Sequence, residues 1–561
     1  MPDMSTFFDQ LQGNSTLRSS LEQWSYKIYE ERDMLQMYAH LILSAFFPIY
    51  IGAHASLHRP PSAAKPERPP GVPDDDDDEI EVEPVVEGLR PSDAIMFPIL
   101  AGTVLGVLYL IIKWLKDPAL LNKVLGWYFS ALGVFGVGKL VADMIGVGIT
   151  FVFPSVWSSG NEVYYVDPLL SQQFTHVPRN GQTQLHRRFI ENKPTPLPGP
   201  LSNVKFSRTN TQRLWSIRAL LKNHWIFQGY VHGLFKTKNK VKMNDVLGFI
   251  IGLIAMVIYN TGGKYWWLTN LMGFGFAYGS LQLLSPTTFG TGSLLLIGLF
   301  IYDITMVFYT PLMVTVATSL DVPIKLVFPG PKRGSMLGLG DVVLPGIMMA
   351  LALRFDLYLH YVRKQSVELQ KTSLSTTESA VAPSSGQKIV KPTYIEATGN
   401  WGERFWTGHT KLADKPRAAL GGHFSKTYFN ASLIGYFIGI VVTLVVLNVY
   451  KHAQPALLYL VPAVLIAVWG TAFVRGEVDL MWNYTEDGSL EDELQSSDAQ
   501  KTNNVGAAGS NVGAAEAGEK EKGEAEKNLK DEHAHHVFLF SLSSPKRGGI
   551  ASKPKLFDKT S

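Results

Sequence analysis

Apolar residues in this chain fall into long runs almost free of charge, instead of the alternating or one-faced patterns of a water-soluble domain. A run of about 18 or more such residues is long enough to cross the hydrocarbon core of a bilayer as a helix. Nine are read here, near Met34–Ala55, Ala94–Leu115, Val124–Pro154, Val246–Tyr259, Tyr265–Leu284, Gly290–Val314, Leu337–Leu353, Tyr428–Tyr450 and Pro455–Phe473, the fourth being short. The fold class expected is an all-α polytopic membrane protein, a bundle of nine transmembrane helices.

The polar stretches complete the organisation. Residues 1–33 form a polar amino-terminal segment, so the first apolar run reads as an uncleaved anchor. Spans one to three occupy 34–154 and include an acidic, Pro-rich linker at 59–90; a basic loop follows at 155–243. Spans four to seven fill 244–355, a second loop 356–427, and spans eight and nine 428–476. Residues 477–561, rich in Glu, Lys, Gly and Ala, read as a disordered tail, because such a composition buries too little apolar surface to fold.

Composition sharpens this picture at two points. The chain is 46% hydrophobic and 18% charged, and its net charge of +3 averages an acidic run at Asp74–Glu79 against basic loops. It has no cysteine, which removes disulfides, thiolate catalysis and cysteine metal sites. The third loop carries 13 Lys and Arg against three acids, and the seventh loop ten more. Alternating spans place both loops on one side, which the bias of basic residues makes cytosolic. The amino terminus is then lumenal or exterior and the tail cytosolic. Asn14, in Asn14-Ser15-Thr16, becomes a glycosylation candidate; Asn430 and Asn483 fit the pattern but fall beside a span and in the tail.

Two acids break the apolar runs: Asp303 in the sixth span and Asp341 at the start of the seventh. A carboxylate at the centre of a membrane helix costs roughly 2.5–3.5 kcal/mol on insertion scales, so an intramembrane acid marks a functional site by default. Two close carboxyls can share one proton, and such a pair hydrolyses peptides with no metal and no covalent intermediate. The topology brings Asp303, Asp341 and the Gln454-Pro455-Ala456-Leu457 segment at the start of span nine to one depth, near the lumenal side. Gly338 and Gly340 lack side chains and leave room for a substrate backbone beside Asp341. Extended backbone at Gln454–Leu457 is expected to hold an unwound substrate by strand addition, with a simple proline helix start as the alternative.

These residues carry a resemblance. Tyr302-Asp303, the run Thr310–Ser319 continuing through Pro323–Pro329, Leu337-Gly338-Leu339-Gly340-Asp341, Leu353-Arg354-Phe355-Asp356 and Lys451–Ala463 stand in the order found in the signal peptide peptidase family. That family comprises GxGD intramembrane aspartic proteases related to presenilin. The resemblance covers mainly Trp266–Glu477. It implies the nine-helix presenilin-type bundle with a lumenal amino terminus, residence in the endoplasmic reticulum, and Asp303 and Asp341 as the catalytic pair. It also implies Tyr302, Gly338, Leu339, Gly340, Gln454, Pro455, Ala456 and Leu457 as substrate-binding residues, with no cofactor and no metal. The substrates implied are remnant signal peptides and type II oriented membrane segments within the lipid bilayer. Degradation factors of the endoplasmic reticulum and a second copy of the chain are further candidate partners; nucleic acid is not. Met306 stands where the family pattern leads one to expect Trp, and the third loop is longer than usual. The tail ends Phe557–Ser561 without a dilysine or KDEL-like signal, so residence in that membrane rests on the resemblance.

Remaining features have plainer readings. Lys139 and Asp143, four apart in the third span, read as a mutually neutralised structural pair. Leu214, Ile217, Leu221 and Trp225, with Arg218 and Lys222 between them, read as a basic interfacial helix. His533, His535 and His536 lie in a tail with nothing to shape a metal site. No His is followed by Glu and no Gly-x-Ser-x-Gly occurs, so zinc and serine proteolysis lack their motifs. A proton-coupled transporter would explain two acids, but no repeated halves are found. A silent relative that only binds membrane segments is the other rival.

Overall fold

In the nine places where apolar runs predict spans, the computed structural model has helices: α1 Arg32–Ala55, α2 Pro91–Leu115, α3 Ala119–Val152, α5 Met243–Thr261, α6 Trp266–Leu283, α7 Phe289–Phe308, α9 Gly340–Ser375, α12 Thr427–Tyr450 and α13 Leu457–Arg475. Shorter helices lie between and after them: α4 Arg208–Lys222, α8 Leu312–Ser319, α10 Trp401–Trp406, α11 Arg417–Leu420 and α14 Val478–Trp482. The structure describes residues 32–66, 87–115, 119–160, 162–168, 170–178, 185–190, 193–231, 235–320, 322–330, 334–375, 391–410, 416–450, 454–486 and 538–543. Among these, eight of the nine long helices are long and apolar enough to cross a membrane. The exception is α6, 18 residues long, whose Asn270 and Gln282 dilute its apolar character. Asn270 is buried against protein and not lipid.

Helix α9 is the axis of the bundle. Residues Ile347 to Leu353 are each at most 2% exposed, because α1, α6, α7, α12 and α13 surround it. By contrast α2 fully buries only Ala94; Leu105, Leu108, Tyr109 and Ile112 pack on the α8 side while Ile95, Leu100 and Leu110 face outward, as expected of a helix at the lipid edge of the bundle. Helices α12 and α13 pack backbone to backbone: a Cβ on Gly435 would stand 2.6 Å from the carbonyl oxygen of Ala463. Glycine is what allows that approach.

Several boundaries differ from the sequence reading. The sixth span ends at Phe308 and not Val314, since Pro311 cannot continue the helix and α8 starts anew after it. Leu337 and Gly338 belong to strand β10 (Ser335–Gly338), antiparallel to β9 (Lys325–Phe328), so the seventh helix starts at Gly340. That helix runs on to Ser375, through residues assigned above to a loop. Strand β1 (Glu87–Leu89), in the acidic linker, pairs in parallel with β8 (Leu284–Pro286).

The third loop is folded. Strands β2 (Val156–Ser159), β3 (Glu162–Asp167), β4 (Gln172–Pro178) and β5 (Leu185–Phe189) form an antiparallel sheet in that order. Trp157 stacks on Tyr164 at 4.6 Å between centroids, and Lys193 Nζ lies 3.9 Å from the Tyr164 ring. Strands β6 (His224–Val231) and β7 (Phe235–Lys242) form a hairpin joined by β11 (Phe538–Ser543). Residues 538–543 and 478–482 are thus regular structure in a segment read from composition as a disordered tail. Trp225 lies in β6, so the predicted amphipathic helix ends at Lys222; Leu214 and Leu221 pack on Ile149, Phe153 and Leu197 instead of lying free for a membrane surface. The seventh loop docks on the third: Glu403 accepts hydrogen bonds from Ser155 N at 3.0 Å and Lys222 Nζ at 3.3 Å. Both basic loops therefore occupy one end of the bundle.

Candidate active site

The apolar residues of α7 that face the bundle recur at helical spacing: Leu295, Leu296, Leu299 and then Asp303. Periodicity places the acid on the face buried by its neighbours, and Asp303 is 3% exposed. A buried carboxylate needs a donor. It finds one in the backbone N–H of Leu457, which donates to Asp303 Oδ2 at 3.1 Å. Leu457 is the first residue of α13, so its N–H has no carbonyl within its own helix. Asp303 thereby caps a helix from another part of the chain, and the positive end of that helix dipole faces the carboxyl.

Asp341 sits in the first turn of α9, half-buried, where a helix start also favours negative charge. Helix α9, which carries Asp341, packs against both α7, which carries Asp303, and α13, whose first N–H holds that carboxyl. Gly338 borders this position: a Cβ there would stand 3.3 Å from Asp341 Oδ2, tighter than an ordinary contact. At Gly340 a Cβ would meet only Leu344 Cδ1 at 3.8 Å, so local packing does not explain that glycine. Leu339 is half-buried and its N–H donates to the carbonyl of Ile324 at 3.1 Å, which ties the approach to Asp341 onto the β9 side.

The segment before α13 differs from the extended reading. Ala456 is helical, at φ −69° and ψ −35°, and serves as the helix N-cap; Gln454 and the buried Pro455 precede it outside the helix. Proline here sets up a helix start, and the chemical product of that start is the Leu457 N–H on Asp303. Extended backbone occurs instead in β10, three residues before Asp341. Its partner β9 covers one edge, and among the described residues no strand pairs with the other. The β9 strand is held by Asn270 of α6, which donates to Val327 O at 2.9 Å and accepts from Val327 N at 2.7 Å. Sequence reading missed Asn270, although a polar side chain in an apolar run was the clue that picked out the acids.

Other candidates lie apart. The Tyr302 ring rests against α2, where a Cβ on Gly102 would meet it at 3.6 Å. Lys139 pairs with Asp143 at 3.1 Å, and Tyr278 Oη donates to the same carboxylate at 2.6 Å. Asn14 and the histidines at 533, 535 and 536 lie outside the described residues.

Known proteins resemble this chain along most of its length. A sequence model of the signal peptide peptidase family matches residues 81–488. The chain is 27% identical to the signal peptide peptidase of Homo sapiens over 457 residues, 80% of this chain and 83% of that protein. It is 34% identical over 252 residues to a probable intramembrane protease of Schizosaccharomyces pombe, covering 44% of this chain and 66% of that one. A probable intramembrane protease of Saccharomyces cerevisiae is 24% identical over 545 residues, 88% of this chain and 81% of its own.

Proposed function

The chain belongs to the signal peptide peptidase family of intramembrane aspartic proteases, and from that premise we propose that Asp303 and Asp341 are the two carboxyls with which it hydrolyses peptide bonds inside membrane-embedded segments. The observation that carries this reading is the Asp303 carboxylate, buried in an apolar helix yet held by the N–H of Leu457 at the start of α13. In the reaction, the ionised carboxyl takes a proton from water as the oxygen attacks the scissile carbonyl, while the protonated carboxyl gives its proton to the carbonyl oxygen. The tetrahedral diol collapses as the carboxyl that took the water proton passes it to the amine nitrogen, the other carboxylate takes a proton from a diol hydroxyl, and the C–N bond breaks. Which carboxyl is protonated is a property of the pair acting together and of neither residue alone.

A helical substrate hides its carbonyls in its own hydrogen bonds and must be unwound. The free edge of β10 offers backbone partners to an extended strand and leads to Asp341, with Gly338 leaving the space beside the carboxylate. Leu339, Gly340, Gln454, Pro455, Ala456 and Leu457 would frame the same cleft, whereas the ring of Tyr302 packs on α2 and takes no direct part. The substrates proposed are remnant signal peptides and type II oriented segments, in the endoplasmic reticulum membrane, with a lumenal amino terminus and the basic loops cytosolic. The basic charge of the two loops that pack at one end supports that orientation.

The test uses purified protein in detergent with a synthetic signal peptide, its fragments read by mass spectrometry. Cleavage within the apolar segment, lost in both Asp303→Ala and Asp341→Ala, is the expected result. Cleavage surviving either substitution would overturn the assignment, and a folded wild type that binds but never cleaves would favour a binding role.

A further inference from the structure

Each backbone N–H in an α-helix donates to the carbonyl four residues earlier. In α9 the residue four beyond Asp341 is Pro345, which has no N–H to give. The carbonyl of Asp341 is thereby left without its helical donor, at the residue whose side chain must be held to sub-ångström tolerance. A donor arrives from elsewhere: Tyr436 of α12 gives its hydroxyl proton to Asp341 O at 3.2 Å. Tyr436 is completely buried, its ring held edge-on by Phe46 of α1 at 5.4 Å between centroids. Its neighbour Gly435 sets α12 backbone-close to α13, the helix whose first N–H holds Asp303.

We infer that Tyr436 is a positioning residue for the hydrolytic reaction, fixing the first turn of α9, and with it the Asp341 carboxyl, by replacing the hydrogen bond that Pro345 removes. The α12–α13 pair then references both carboxyls to one rigid unit: Asp341 through its carbonyl, Asp303 through its side chain. Such a residue acts on the geometry of the reacting groups and not on substrate affinity. The inference rests on Asp341 being one of the reacting carboxyls.

The experiment is a double-mutant cycle on peptide cleavage by the full chain in detergent, with kcat and KM measured separately. Tyr436→Phe removes only the hydroxyl; Pro345→Ala restores a backbone N–H that can donate to Asp341 O. Tyr436→Phe alone is expected to lower kcat about five- to tenfold, with KM changed less than about twofold. In the Pro345→Ala background the same change should cost less than about twofold, because the carbonyl then has its helical donor. A loss of equal size in both backgrounds would overturn the inference, since the hydroxyl would be acting somewhere other than this carbonyl. So would a Tyr436→Phe variant with wild-type kcat. If Tyr436→Phe does not fold, the comparison of Pro345→Ala with Pro345→Ala/Tyr436→Phe decides alone, and a fivefold gap there sinks the idea. Asp341→Asn run alongside separates the two readings: activity retained in it removes the dyad, whereas its loss together with an additive cycle removes only the role of Tyr436.

Discussion

The N–H of Leu457 donates to Oδ2 of Asp303 across 3.1 Å and 154 residues of chain. This one bond answers two needs. An acid in an apolar helix lacks a donor, and a helix start lacks an acceptor for its first N–H. Joining them fixes α13 against α7 and orients the carboxyl whose chemistry depends on direction.

Pro455 secures that arrangement, because its ring restricts the chain entering α13 and is itself buried. Replacing it with Gly keeps the helix but lets its first turn wander, costing about 0.4–1 kcal/mol of stability through the unfolded chain. Cleavage should fall further than stability does, by about tenfold in kcat, since loss of alignment acts on the reacting groups directly. Pro455→Ala is expected to lie between Gly and wild type. Steady-state rates together with thermal unfolding in detergent check this; a rate loss no larger than the stability loss predicts would count against it.

Asn270 acts on the other carboxyl from a distance. Its side chain satisfies both backbone groups of Val327 and so fixes the hairpin that leads into Asp341. Asn270→Leu would suit lipid better but leaves a donor and an acceptor unpaired, at about 1–3 kcal/mol for each group that stays dry. Lower thermal stability and a large loss of cleavage are expected. Asn270→Asp keeps the acceptor and loses the donor, and should fall between; an Asn270→Leu variant as active and stable as wild type would refute the anchoring role.

The reach of the sequence can be judged from these same residues. That Ile347–Leu353 and their counterparts form helices was legible, because an apolar run in lipid has few ways to satisfy its backbone. Asp303 and Asp341 stood out because charge in such a run is costly. The helix ends were less legible: Pro311 and the β10 strand set them, and both sit inside stretches whose hydropathy gives no warning. The Leu457 N–H and the Tyr436 hydroxyl were invisible, since each meets its partner only through packing between elements 154 and 95 residues apart. The third loop was read as a basic loop with one amphipathic helix, and its sheets were not foreseen; Trp157, Tyr164, Val166 and Trp215 are enough to nucleate a small core there.

Acid should loosen the carboxyl-terminal end before the bundle itself. Burial raises the Glu477 carboxyl, but hydrogen bonds from Tyr428 and Arg363 and the charges of Arg475 and Arg363 together outweigh it and hold the group below the ordinary range. A depressed carboxylate stabilises the fold above its unfolded value, near 4.3, and that contribution disappears as pH falls through the lower folded value. Thermal stability should therefore hold from neutrality to about pH 4.5 and drop below it, as far as this group is concerned. Glu477→Gln, expected to cost about 1 kcal/mol at neutral pH, should flatten that part of the acid limb. An unchanged acid limb in the variant would show that other carboxylates govern it.

The strongest stability effect is expected at Arg354. Its Nε lies 2.8 Å from Glu486 Oε1, both side chains almost completely buried, at 3% and 7% exposure. Around them, Arg354 donates to Ser56 Oγ at 3.0 Å and Ser285 Oγ at 2.6 Å, and Ser285 Oγ donates to Glu486. The pair pins the segment after α14 to the central helix, next to the α6–α7 connection. Removing Glu486 leaves the Arg354 charge buried without its carboxylate, which costs about 3–5 kcal/mol. Removing Arg354 leaves Glu486 with only His58, 3.5 Å away, and Ser285 among the described residues. Removing both and filling the space with apolar groups is often close to neutral. Arg354→Met and Glu486→Leu should each unfold the protein at markedly lower temperature, whereas the double variant should recover most of the loss. Additive losses in the double variant would mean that the surrounding serines, and not the ion pair, account for the stability of this corner.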